Sequence, residues 1–486
     1  MHLLLHASAA VAHVHASSAP TGPYACSTYA SDNVTCVYDT GDTAWLLASS
    51  ALVLLMTPGL AFFYAGMVRA KNSLGMLMQN FFCMGIVSIL WVVFTFSLAF
   101  DKGWGPNGNA FIGGLHYAGL MHMSQGVPKE GLTIPLYVFV AFQLMFAIIS
   151  PALIVGSTAD RWKFAPFCIF ITLWSIVDYA VVAHWVFDPY GWLAKLGAED
   201  FAGGTVVHAN AGAAGLAMCL VLGRRKGWPN DPMRPHNVPF VLLGAGLLWF
   251  GWFGFNAGSG LGASAGAVPF LTTNTATAAA MLGWLVIERL RDGHATTLGA
   301  ASGAVAGLVA ITPACAFVSP IGSIFVGAIA GALCCACTPI KFKLGFDDSL
   351  DVVAVHLVGG VTGALLIGFW GNANYRGLNG VFYGNHSWHL FKEQLLAVAC
   401  VVAYSFVVSF ALGKLIGLFF KGQTNTMTPE DQEIGMDLVL HSETAYEMGA
   451  IASGGGGLAL AGVGTGAPPP SATGASPQIR TTGGEL

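Results

Sequence analysis

Asp200-Phe-Ala-Gly-Gly-Thr-Val-Val-His208-Ala-Asn-Ala-Gly212-Ala-Ala-Gly215 has a counterpart later in the chain, Asp348-Ser-Leu-Asp-Val-Val-Ala-Val-His356-Leu-Val-Gly-Gly360-Val-Thr-Gly363. In both segments His follows Asp by eight residues, Gly follows His by four, and a second Gly follows by three. Val207 and Val355 precede the two histidines. A second echo joins Ile149-Ser-Pro-Ala152 to Ile311-Thr-Pro-Ala314. On a helix, residues three, four and seven apart share one face, so each imidazole shares its face with two glycines. The chain therefore reads as a duplicated helical unit.

The surroundings say what kind of helix. Only 44 of 486 residues are Asp, Glu, Lys or Arg (20 basic and 24 acidic), 9% of the chain, whereas 55% are hydrophobic. Soluble domains carry about 25% charged residues, so this chain lacks the polar surface of a soluble enzyme. A disordered protein needs the opposite composition. The net charge of −4 forms no basic block, which leaves nucleic-acid binding without an electrostatic basis. No catalytic constellation is found, and no enzyme activity is expected.

A membrane-crossing helix needs about 20 mainly apolar residues. Such runs fall near 43–66, 76–100, 133–156, 164–187 and 205–223, then near 239–259, 270–290, 297–317, 320–338, 352–371 and 394–420. They lack the strict alternation of barrel strands, so about eleven transmembrane helices are expected. The expected fold is an all-α polytopic membrane protein: a first half-repeat (43–223), a second (239–371) and one further span (394–420). Five spans per half invert the second half relative to the first. Inverted repeats place a permeation site at their interface, here a pore through the chain.

Basic residues orient the chain. Alternate connections from the first span onward carry twelve Lys and Arg, including Arg69, Arg161, Arg225 and Lys341, against five in the other set. This bias predicts that the first set is cytoplasmic, with the N-terminus outside and the C-terminus inside a cell membrane. Residues 1–42 then form an outer segment. Within it, 1–20 is a candidate signal peptide without a basic n-region, and Cys26 and Cys36 are able to pair. Asn33 and Asn385 head outer glycosylation-type triplets. The eight cysteines inside spans read as small packing residues. Residues 421–448 form a cytoplasmic segment, and the Gly/Ala/Pro/Ser composition of 449–486 predicts a disordered tail.

Polar side chains in hydrocarbon face a pathway or a partner. A single buried His is more often a packed core residue, but two at repeat-related positions favour a pathway. The glycines one turn beyond each ring allow close helix approach. Each neutral imidazole offers one donor and one acceptor, suited to passing a small hydrogen-bonding solute or a proton. Two competing uses are weaker. No third and fourth metal ligand is found beside the pair, since His184 lies at a membrane edge, and bis-His haem ligation lacks a second His pair. No metal or cofactor is expected. Aromatics cluster at Phe142-Gln-Leu-Met-Phe146 and Trp249-Phe-Gly-Trp-Phe-Gly-Phe-Asn-Ala-Gly-Ser259. They serve either as packing and interface anchors or, beside a hydroxyl, as an attractive surface for a cation.

Four stretches carry a family resemblance: Asp200–His208, Gly251–Ser259, Gly307-Leu-Val-Ala-Ile-Thr-Pro-Ala314 and Asp347–His356. Over residues 42–448 the chain resembles the ammonium transporter family (the Amt/Mep/Rh group), on the Amt side. The resemblance implies a homotrimer in the lipid bilayer, one pore per subunit, and ammonium or methylammonium as substrate. It also implies roles. Phe146 and Phe255 resemble a stacked phenyl gate. Ser259, Phe255 and Trp252 resemble a cation-recruitment site and its lining, and His208 and His356 resemble the twin imidazoles of the pore. Asp200 resembles the family's essential acid, acting through helix-end hydrogen bonds and field rather than by touching substrate.

This sequence departs from the family at two positions. Recruitment sites of this kind usually hold a Trp where this chain has Phe187, a weaker π face without an indole donor; Trp185 or Trp192 are alternative substitutes. Asp178, unexpected in the fourth span, is either an extra proton or cation group or a carboxyl paired within the bundle. Glu430–Tyr446 is similar to the family's C-terminal coupling region, with Val439 where some relatives carry a phosphorylatable Thr, and a PII-type partner is implied for a bacterial member. Ammonium and potassium are alike in size, so selectivity must use N–H donors and a removable proton. The expected function is ammonium recruitment, deprotonation and ammonia conduction, with net charge transfer left open. The alternatives are an ammonium sensor and a passive ammonia or carbon dioxide channel.

Overall fold

A computed structural model of the chain describes residues 38–105, 108–123, 132–384, 386–420 and 425–446. The candidate signal peptide, Cys26, Cys36, Asn33, Asn385 and residues 449–486 lie outside them. The described residues up to Ala445 form one compact unit. Among the described residues the protein is all-helical, with ten helices long and apolar enough to cross a membrane. In chain order the spans are Thr40–Met67, Ala70–Phe100, Leu136–Thr158, Phe164–Leu196, Gly204–Leu222, Val238–Ala257 and Ser264–Asp292. The short apolar helix Thr297–Ile311 stands eighth, followed by Pro320–Leu344, Val353–Trp370 and His389–Phe419. This is a multi-pass membrane protein.

The eighth helix stops six residues before the expected end at 317. Pro313 lacks an N–H to continue the ladder, and the chain turns there. Helix starts follow the local sequence. Asn237 accepts from Phe240 N–H at 3.0 Å with Pro239 just inside, and Thr296 accepts from Gly299 N–H at 2.8 Å. Ser319 caps the ninth span through Gly322 N–H at 3.0 Å.

Small residues set how near the spans approach. The first and sixth spans cross on glycine: a Cβ on Gly244 would lie 2.4 Å from the Phe63 nitrogen. The seventh and ninth meet at Gly327 and Gly331, where a Cβ would lie 2.1 Å from the Ala276 and Ala280 carbonyl oxygens. Hydrocarbon tails are as apolar as leucine, so such contacts hold the bundle by dispersion rather than by hydrophobic burial.

At one end of the bundle the connections are tied by buried charge. The Arg225 guanidinium pairs with Asp347 at 2.8 Å and with Asp160 at 3.2 Å. Arg161, fully buried, donates to the Ser157 and Asp347 carbonyls and to Ser349 Oγ. Burial raises the Asp347 carboxyl, but its Arg225 and Arg161 partners outweigh this and hold it below the usual carboxylate range. The segment after the last span packs against this end. Met427 N–H donates to Arg161 O at 2.8 Å, Met436 N–H to Asn72 Oδ1 at 2.8 Å, and Gly75 N–H to Asp437 Oδ1 at 2.8 Å.

Candidate functional site

The two repeat histidines meet in the middle of the bundle. His208 and His356 are almost fully buried, and their Nδ1 atoms lie 3.3 Å apart. The rings are nearly parallel, with centroids 5.4 Å apart and planes 22° apart. Two neutral imidazoles sharing one Nδ1···Nδ1 hydrogen bond must be opposite tautomers. One Nε2 then presents a donor and the other an acceptor. His208 Nε2 is buried with no hydrogen-bond partner among the described residues.

Local backbone explains the meeting. Both histidines sit on a π-helical turn, Gly204–Ala209 and Val353–Leu357, a form frequent at functional sites. An aspartate caps each turn. The Asp200 carboxylate takes four backbone N–H groups, from Gly203, Gly204, Thr205 and Val206, at 2.7–3.1 Å. Asp348 takes two, from Val352 at 3.2 Å and Val353 at 2.8 Å. The glycines pack reciprocally. A Cβ on Gly212 would lie 2.4 Å from the Leu357 nitrogen, and one on Gly360 would lie 2.9 Å from the Ala209 nitrogen. Each helix thus presses its i+4 glycine onto the residue that follows the other helix's histidine.

Aromatic rings continue the stack. Trp252 lies parallel to His208 at 5.3 Å, and its indole N–H donates to Thr312 Oγ1 at 2.8 Å. Phe255 stacks on His208 at 5.9 Å, and Phe146 packs on Phe255 at 4.4 Å. Phe253–Ala257 is itself a π-helical turn. Beside Phe146 a cavity of about 270 Å³ opens, lined among others by Phe146, Phe187, Asp200 and Ser259. Ser259 Oγ donates to Phe255 O at 2.8 Å, which leaves its lone pairs for a ligand.

The remaining candidates fall elsewhere. Phe187, and neither Trp185 nor Trp192, lines that cavity among the described residues. The Trp185 indole is committed to Phe111 O at 2.8 Å. His184 contacts Ala99 O and Asn109 O with its two ring nitrogens and fastens the fourth span to the end of the second span and the loop that follows it. Asp178 is fully buried with neither oxygen in a hydrogen bond among the described residues, and Asn210 and Ser405 are the polar side chains beside it. No group of three or more His, Cys, Asp or Glu is placed to hold a metal among the described residues. Glu199 and Arg376 line the cavity as well. Neither stood out in the sequence, where the one signal able to find Glu199 is its place next to Asp200.

A family model described as Ammonium Transporter Family matches residues 44–446. The chain belongs to this family. Over 447 residues it is 51% identical to a protein of Mycobacterium tuberculosis (strain ATCC 25618 / H37Rv) named "Ammonium transporter", covering 86% of this chain and 92% of that one. Among solved structures it is similar to Saccharomyces cerevisiae Mep2, with a TM-score of 0.73 and 33% identity over 80% of this chain and 90% of Mep2. It is also similar to a structure described as "Sensor Amt Protein", with a TM-score of 0.74 and 29% identity over 82% of this chain and 97% of that one. The family is one of transporters. In this chain the stacked rings Phe146 and Phe255 come from the third and sixth spans, and the imidazoles His208 and His356 from the fifth and tenth.

Proposed function

We propose that this protein transports ammonium through the path from the cavity at Ser259 to the His208–His356 pair. The cation pauses against the Phe187 and Phe255 faces and the Ser259 hydroxyl. It gives up its proton to water of the outer cavity near Asp200 and His208, and ammonia passes Phe146 and Phe255 to be hydrogen-bonded along the imidazoles. The 3.3 Å approach of the two Nδ1 atoms carries this reading, because it leaves one Nε2 donor and one Nε2 acceptor buried among apolar and aromatic side chains. Potassium has no N–H to offer such a pair. Asp200, with four backbone donors on its carboxylate, acts by holding the His208 turn in position. The cavity faces outward, the Arg225–Asp347 end lies in the cytoplasm of a cell-membrane protein, and three copies assemble with one path each. Uptake of labelled methylammonium by proteoliposomes tests the reading: time-dependent accumulation supports it, and none above empty vesicles defeats it.

Restoring the indole at the recruitment position tests the vestibule. The cation–π contribution rises by a fraction of the roughly 0.5–2 kcal/mol available, so Phe187→Trp is expected to lower the methylammonium KM about two- to fivefold. Competition uptake assays read the change directly.

A sensor reading is favoured by one observation, the similarity to the structure described as a sensor. The 425–446 segment, docked on Asn72 and Gly75, would then couple to a PII-type partner at the cytoplasmic face. Truncation after Tyr446 separates the two. A transporter keeps its uptake rate within about twofold, because the docking bonds all lie before the cut, whereas a pure sensor moves no label with or without its tail.

A further inference from the structure

Glu199 stands one residue before Asp200, and its carboxyl is held in another way. Its backbone is fixed by Gln394 on the last span: Glu199 N–H donates to Gln394 Oε1 at 2.6 Å, and Gln394 Nε2 returns to Glu199 O at 2.7 Å. Oε1 accepts from Leu378 N–H at 2.7 Å. Oε2 is buried with no hydrogen-bond partner among the described residues. Gly377, at φ +72°, closes over the carboxyl, since a Cβ there would lie 2.1 Å from Oε1. Glu199 lines the same cavity as Phe187 and Ser259.

Three other charged groups face it. Arg376 lines the cavity with its guanidinium 5.2 Å from the Phe201 ring centroid, and the two side chains make no ion pair within 4.0 Å. Glu393 approaches from the last span and is bridged to His389 at 3.2 Å. Asp200 has its oxygens filled by the four backbone N–H groups. Of the cavity's two carboxylates, Glu199 alone keeps an oxygen that no protein donor takes.

We propose that Glu199 is a specificity-determining carboxylate of the vestibule: ionised, it draws a small ammonium-class cation toward Ser259 against the field of Arg376; protonated, it leaves Arg376 unopposed and weakens recruitment. The inference rests on the transporter reading above and deepens it. It accounts for a chain that recruits a cation with a phenyl ring where an indole would bind better. It also makes recruitment pH-dependent. Burial pushes the Glu199 carboxyl up to about 7, with Glu393 adding and the Leu378 N–H and Arg376 opposing. The raised value means the negative charge is present above about 7 and is lost as pH falls through it.

The test is methylammonium uptake by the full chain in proteoliposomes, with the outer pH stepped to either side of about 7. Wild-type KM is expected to fall roughly three- to tenfold as pH rises through that value, with little change in maximal rate. Glu199→Gln should hold KM near the acidic wild-type value at every pH. Arg376→Gln, an exposed position, should lower KM most on the acidic side. Wild-type uptake with a flat KM profile, or a Glu199→Gln protein that keeps the wild-type profile, overturns the proposal alone. A KM unmoved in Arg376→Gln likewise overturns it, even if the Glu199 variant fails to fold. A wild type that accumulates no methylammonium at any pH overturns the transporter reading together with it.

Discussion

His208→Ala is expected to cut methylammonium uptake by roughly ten- to a hundredfold and to let potassium through. The estimate follows from one buried hydrogen bond, whose loss leaves a partner unsatisfied at about 1–3 kcal/mol. His208 is the shared member of the stack, lying on Trp252, on Phe255 and on His356. Removing its ring orphans the Nδ1 of His356 and opens a gap beneath the phenyl pair. The passage is then wider at that level and loses half of its hydrogen-bonding code. Water fills the gap, and a hydrated alkali cation finds company where only a neutral solute did. The measurement is labelled uptake with potassium flux followed in the same vesicles. Unchanged uptake with unchanged potassium exclusion would remove the imidazole pair from the account.

Asp200→Ala carries the largest expected effect on the fold. Four backbone donors converge on that carboxylate, at the end of a span whose residues 203–206 are largely buried. Orphaning even two or three of them costs on the order of 3–5 kcal/mol, so a fall in Tm of several degrees in detergent and loss of transport should appear together. Asp200→Asn keeps one carbonyl acceptor and should recover part of the stability. The repeat supplies an internal control. Asp348 takes two donors, so Asp348→Ala should cost about half as much. Equal stability of all three variants would mean that the caps do not hold the histidine turns.

Much of this was legible because the informative spacing is local. Asp, His, Gly and Gly recur at fixed offsets within a single helix, and helical geometry turns such offsets into a face. The reciprocal contact of Gly212 with Leu357 and of Gly360 with Ala209 follows once two such faces meet. The π-helical turns were not legible, since they depend on an extra residue that no hydrophobic period reveals. Arg161 and Arg225 counted only as orientation charges, yet they form a buried network with Asp160 and Asp347 that joins connections far apart in sequence. Glu199 was invisible for the same reason: Gln394 and Leu378 hold it at the cavity wall from well over a hundred residues away. Phe187 was readable as a departure, and its position at that wall is a matter of tertiary packing.

The central claim is that selectivity comes from paired imidazoles in a narrow apolar passage, and recording current and labelled flux together from proteoliposomes tests it most directly. Under an inward methylammonium gradient the account predicts accumulated label, and under an equal potassium gradient no flux and no current. A potassium flux comparable to the methylammonium flux would contradict it.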